Sequence, residues 1–144
     1  MKIAIGNDHS AVEYKNELVK FLEELGHEVV NFGTDTNDSV DYPDFAKAVC
    51  KAILNKEVVY GVLICGTGIG ISITANKIKG IRAALVSNEY MARITREHND
   101  ANVIAFGARV VGIEVAKSSL KAFLEAEFEG GRHAIRVNKM ECDC

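Results

Sequence analysis

No apolar run in the chain reaches the roughly 20 residues that a bilayer span requires, and the opening "MKIAIGNDHS" lacks the three-part shape of a signal peptide. Neither membrane insertion nor export is expected, and the cytoplasm is the expected compartment. Basic residues are not in excess: 17 Lys and Arg against 20 Asp and Glu leave a net charge of −3. That balance argues against nucleic acid or an anionic membrane as the partner. The four cysteines, at 50, 65, 142 and 144, have no zinc-site spacing, and the terminal Cys142-x-Cys144 pair has no second pair of ligands close by. In a reducing compartment all four are expected as free thiols, with the Cys142–Cys144 end frayed. Internal repeats, low-complexity tracts and linkers are absent too. The 144 residues, 48% hydrophobic and 26% charged, fit one domain spanning residues 1–144 and able to bury a core unaided.

What the chain does contain is an alternation. "KIAIG" (2–6), "HEVVNF" (27–32), "YGVLIC" (60–65), "RAALV" (82–86) and "NVIAFG" (102–107) read as short strands. Between them run helical stripes. One carries Tyr14, Leu18, Phe21, Leu22 and Leu25, opened by a Ser10/Glu13 capping-box spacing and stopped by Gly26. The others carry Phe45, Val49, Ala52 and Ile53; Ile73 and Ala75; Tyr90, Met91, Ile94 and His98; and Ile113, Ala116, Leu120 and Phe123. Cys50 falls on a helix face and reads as core. Five strands alternating with five helices predict an α/β fold: a doubly wound three-layer sandwich around a five-stranded parallel sheet, Rossmann-like in plan. Ligands of such sheets collect beyond the carboxyl ends of the strands. The residues there include Asp8, His9, Cys65, Thr67 and Arg109, which are expected on one rim.

The stretch "LICGTGIGISITANKIKG" (63–80) sets a thiol at the head of a glycine-rich turn. It is not a dinucleotide fingerprint, because the G-x-G started at Gly66 and Gly68 meets Ile71 where a third glycine is needed. No glycine is followed by Lys and Ser/Thr, so it is not a P-loop. A C-x5-R phosphatase loop would need arginine where Ile71 stands, and a C-x-x-C redox pair would need cysteine at Gly68. What remains is a strand, a thiol and nearly bare backbone amides opening a helix. Glycines let the backbone approach a ligand, and amides at a helix start favour anions. A thiolate beside such amides suits attack on a carbonyl, or removal of a proton next to one with the amides holding the enediolate oxygen. Taken singly, each residue has a plainer role: cysteine as small core residue, His98 as a helix-end cation, Asp8 as turn chemistry, and "GGRHAIRVNK" as a solvated basic tail. Together, a thiol, histidines, a carboxylate and several arginines point to a small phosphorylated ligand, since guanidinium forks match phosphate geometry.

The blocks "GNDHSA" (6–11), "DYPDFA" (41–46), "ICGTGIGISITANKIKGIRAA" (64–84), "REHNDANVIAFGARVVG" (96–112) and "EGGRHAIRV" (129–137) cover nearly the whole chain. In them the sequence resembles the B-type ribose-5-phosphate isomerases and the related galactose-6-phosphate isomerase subunits. The resemblance implies an aldose–ketose isomerase interconverting ribose 5-phosphate and ribulose 5-phosphate through an enediolate, with no metal or organic cofactor. It makes Cys65 the proton-moving base, with Thr67 and the amides of Gly66, Gly68 and Gly70 holding the oxyanion. It gives His98, oriented with Asp8, the opening of the furanose ring, and Asn99 the sugar oxygens. His9, Arg109, Arg132 and Arg136 become the phosphate clamp, Tyr42 lines the pocket, and His133 beside two arginines is placed to sense chain length. The resemblance also implies a homodimer or a tetramer of such dimers, with sites shared between subunits and the tail from about residue 129 reaching over a partner. Some relatives carry a glutamate base in the turn; here Ile71 occupies that position, which leaves Cys65 as the base. The alternatives are an isomerase of a six-carbon sugar phosphate such as allose or galactose 6-phosphate, and a non-catalytic sugar-phosphate- or nucleotide-binding module on the same fold.

Overall fold

The computed structural model describes residues 1–141. Five strands, β1 (Lys2–Asn7), β2 (Glu28–Asn31), β3 (Tyr60–Cys65), β4 (Ala83–Leu85) and β5 (Val103–Gly107), form one sheet in the order β2-β1-β3-β5-β4, every pairing parallel. The helices are α1 (Val12–Glu24), α2 (Tyr42–Leu54), α3 (Ile69–Asn76), α4 (Glu89–Asn99), α5 (Ile113–Glu125) and α6 (Arg132–Met140), with a short 3-10 turn at His9–Ala11. The expected doubly wound α/β sandwich is what the chain forms. Among the described residues no helix is long and apolar enough to cross a membrane.

The pleat sorts the core. Successive side chains of a strand point to opposite faces, so Ile3, Ile5, Val62, Ile64, Ile104 and Phe106 pack with Leu18, Leu22, Ala92, Leu120 and Phe123 of α1, α4 and α5. The intervening Ala4, Leu63, Cys65, Val103 and Ala105 pack with Ala46, Val49 and Cys50 of α2 and Ile71 and Ala75 of α3. Burial on both faces explains why β1, β3 and β5 read as unbroken apolar runs. It also turns the Cys65 side chain toward the layer in which α3 begins.

Two local expectations give way. Ser10 does not open a capping box with Glu13: its N–H donates to Asp8 Oδ1 at 3.0 Å, its hydroxyl donates to the same oxygen, and Asp8 caps the 3-10 turn instead. A carboxylate two residues back is the stronger and nearer acceptor. The basic tail is not a solvated tail either. It forms α6, which buries His133 and Val137 and packs on α4. Among the described residues there are thus six α-helices where five were read. Cys142 and Cys144 lie outside the described residues; Cys50 and Cys65 are free thiols.

Candidate active site

Strand order reverses between β1 and β3, and their carboxyl ends lie side by side: Asn7 pairs with Ile64, and the Asp8 N–H donates to the Ile64 carbonyl. This is the crevice where open α/β sheets take ligands. Cys65 ends β3 and is 5% exposed. Its Sγ accepts a hydrogen bond from the Gly68 N–H at 3.2 Å, so the turn folds back to aim an amide at the sulfur. That fold-back needs φ = +78° at Gly68, a left-handed conformation that glycine adopts without strain. α3 starts on the next residue. Thr67 is exposed, with its hydroxyl oxygen accepting from the Ile69 N–H at 3.2 Å.

The other glycines of the turn bring side chains to it. A Cβ on Gly66 would lie 3.4 Å from the Arg109 guanidinium, and one on Gly70 would lie 2.6 Å from the Tyr42 ring. Arg109 and Tyr42 therefore lie directly on the turn's backbone. On the β1 side, Asp8 is 7% exposed, and both Ser10 bonds fall on its Oδ1. His9 Nδ1 accepts the Val40 N–H at 3.1 Å, which leaves Nε2 as the donor of the neutral ring. Cys50, the other described thiol, sits in the core, where burial pushes it up to about 11. It is inert packing.

The remaining expected residues stand elsewhere in the same chain. α4 runs back from the carboxyl edge of the sheet, so His98 and Asn99 end it at the amino edge. There the Asn99 carbonyl accepts from Arg82, the residue before β4. Val103 to Gly107 spans the sheet between the two edges, roughly 13 Å at the usual strand rise. Within one chain the expected residues thus fall into two groups at opposite edges of the sheet. Asp8, His9, Tyr42, Cys65, Gly66, Thr67, Gly68, Gly70 and Arg109 form one. His98 and Asn99 form the other, with Arg132, His133 and Arg136 on α6.

The amino-edge half is built by the Gly130–Gly131 turn, whose φ values of +67° and +56° suit glycine. The Glu129 N–H donates to the Glu97 carbonyl at 3.0 Å, pinning the turn to the end of α4. α6 then lays the His133 ring on the His98 ring, with centroids 4.0 Å apart and planes 10° apart. Glu129 Oε1 stands 3.4 Å from His98 Nε2 and 3.5 Å from His133 Nε2. His133 is 6% exposed, so it supports His98 rather than reaching outward. Burial, with the charges of His98, Arg132 and Arg136 adding to it and Glu129 opposing, holds His133 below the ordinary histidine value. Asn99 also borders a cavity of about 660 Å³ shared with Lys77, Lys79, Arg82 and Met140.

Sequence reading missed Glu129 and Val40. Glu129 opens the quoted "EGGRHAIRV" block, and its spacing of four from His133 was the available signal. Val40 acts through its backbone, and nothing in its side chain announces that.

Comparison with known proteins fits this architecture. A model of the Ribose/Galactose Isomerase family matches residues 3–140. The chain is 52% identical over 136 residues to ribose-5-phosphate isomerase B of Escherichia coli, covering 94% of this chain and 91% of that protein. It is 45% identical over 141 residues to a D-erythrulose-4-phosphate isomerase of Pectobacterium atrosepticum, covering 97% and 93%. The solved structure of Clostridium thermocellum ribose-5-phosphate isomerase B matches with a TM-score of 0.96 at 55% identity, covering 98% of this chain and 95% of that one. Fold and likeness together define a sugar-phosphate isomerase, an enzyme. The chain belongs to the ribose/galactose isomerase family.

Proposed function

We propose that the chain interconverts ribose 5-phosphate and ribulose 5-phosphate through an enediolate, on sites completed by a second copy of itself. The observation that carries this reading is the Gly68 amide aimed at the Cys65 sulfur at the head of α3. The sulfur stands at an N–H donor and a helix start, and as the base it takes the proton shared between C1 and C2. The Thr67 hydroxyl and the amides of Gly66 to Gly70 form the hole for the enediolate oxygen. Base, oxyanion donors and ring-opening acid are all side chains and backbone of the protein, so the chemistry asks for no metal or organic cofactor.

A second copy brings His98 and Asn99 to the turn. His98 opens the furanose ring, facing Asp8 through the Oδ2 that Ser10 leaves unused, and Asn99 holds sugar oxygens. Arg132 and Arg136 of α6 join His9 and Arg109 around the phosphate. Support for pairing comes from the apolar side chains beside the turn: Ile69, Ile73, Leu85, Tyr90 and Val110 are all exposed, up to 66%. Such a patch is the surface a self-complementary interface uses.

Replacing Cys65 with alanine is expected to lower turnover at least about 100-fold while ribose 5-phosphate still binds. Substantial retained turnover rejects Cys65 as the base. Reaction in D2O is expected to label the transferred position, whereas complete absence of exchange points to a hydride shift or a shielded proton. The Pectobacterium relative is named for a four-carbon substrate, so a competition assay with four-, five- and six-carbon sugar phosphates ranks chain length.

A further inference from the structure

Three polar groups meet at the end of α4 with no hydrogen bond joining them. Glu129 Oε1 lies 3.4 Å from His98 Nε2 and 3.5 Å from His133 Nε2, and the two rings are stacked nearly parallel. At those separations the contacts are longer than good hydrogen bonds, and the carboxylate stands beside both rings without bonding either. The ligand atoms lie within 4.8 Å of one another, a grouping that could suit a metal ion. The stacking opposes it. A metal bonds imidazole in the ring plane at about 2 Å, and two nearly parallel planes offer no shared point at that reach. The cluster is better suited to holding one ring still.

Its parts are graded for that task. His133 is buried and fixed on α6, His98 is one-third exposed on its side chain, and Glu129 is half exposed. The buried ring is a platform, the carboxylate a brace at the Nε2 atoms, and the exposed ring the group that works. The platform is itself braced, because the Glu129 N–H bonds the Glu97 carbonyl and α6 follows directly from the Gly130–Gly131 turn.

We propose that Glu129 and His133 are positioning residues for ring opening: His133 sets the plane of His98, and Glu129 holds its Nε2 in place, before substrate arrives. This rests on the reading of His98 as the ring-opening acid–base group. The proton that His98 gives to the ring oxygen and the one it takes from the anomeric hydroxyl are its own and the substrate's. No other reactant enters.

Ring opening can be observed apart from isomerisation. In the Cys65→Ala protein, proton transfer between C1 and C2 stops, but opening and reclosure of the furanose still exchange the α and β anomers of ribose 5-phosphate. That exchange is measurable by NMR exchange spectroscopy. The C65A protein is expected to speed exchange above the buffer rate. Adding Glu129→Gln is expected to slow that catalysed exchange at least about 10-fold, with ribose 5-phosphate affinity unchanged and partial recovery in C65A/E129D. Undiminished exchange in C65A/E129Q overturns the positioning role alone. Exchange no faster than buffer in C65A itself overturns ring opening at His98, and the proposal with it. Loss of affinity in step with exchange makes Glu129 a binding or structural residue and also overturns it.

Discussion

The Gly68 N–H donates to the Cys65 sulfur across 3.2 Å, and the φ of +78° that aims it is a conformation glycine holds without strain. A Cβ at Gly68 would also come within 2.6 Å of Leu85 and 2.9 Å of the Gly107 nitrogen. Gly68→Ala is therefore expected to cost about 2–4 kcal/mol, from backbone strain plus overpacking. Activity should fall further than the lost folded fraction explains. Chemical denaturation together with kcat measured on the folded fraction checks both halves.

Lys15 has no exposed surface, and its ammonium donates to the Thr34 carbonyl and pairs with Asp35. The Lys15 hydrogen bond, helped by Asn31, holds the Asp35 carboxyl below its ordinary value. The folded state thus binds that proton less readily than the unfolded chain. The contribution is present above about pH 3.9 and is lost as pH falls through the folded value. Asp35→Asn, which leaves a buried cation without its counter-charge, is expected to destabilise more than Lys15→Met, which removes the charge. Urea titrations at pH 7 rank the two, and the acid limb assigned to Asp35 should vanish in D35N.

His133 gives stability a second pH dependence. Its folded value lies below the ordinary one, so the unfolded chain takes up the proton first and stability rises with pH across that interval. Loss begins as pH falls through about 6.5 and continues down to the folded value. His133→Asn is expected to flatten this limb in melting temperatures recorded between pH 5 and about 7.5.

Arg132 and Arg136 lie on α6, remote in one chain from Cys65, yet are assigned to the phosphate. Removing either is expected to raise KM for ribose 5-phosphate about 10- to 100-fold, the worth of one charged hydrogen bond. Steady-state kinetics test this, and an unchanged KM removes the residue from the phosphate clamp.

The sheet was legible in the sequence because β1, β3 and β5 are buried on both faces and show as continuous apolar runs. α6 was not. Its buried stripe consists of His133 and Val137 alone, set among Arg132, Arg136 and Lys139, and a histidine in that setting reads as surface. Lys15 was missed for a related reason: its partners, Thr34 and Asp35, lie 19 and 20 positions away. The residues at strand ends were placed correctly on the carboxyl edge. His98 and Asn99, which the resemblance put in sites shared between subunits, stand at the other edge because they close a helix, and a helix returning from a parallel strand ends at the opposite edge of the sheet.

That opposition makes subunit complementation the most direct test. Cys65→Ala and His98→Ala chains are unfolded together, refolded together and assayed. With each site taking its turn from one copy and His98 from another, about half the dimers are mixed, and each mixed dimer carries one intact site. Roughly a quarter of wild-type activity should return from two nearly inactive parents. If mixed dimers form and activity stays at the level of the parents, the site lies within a single chain and the account is wrong.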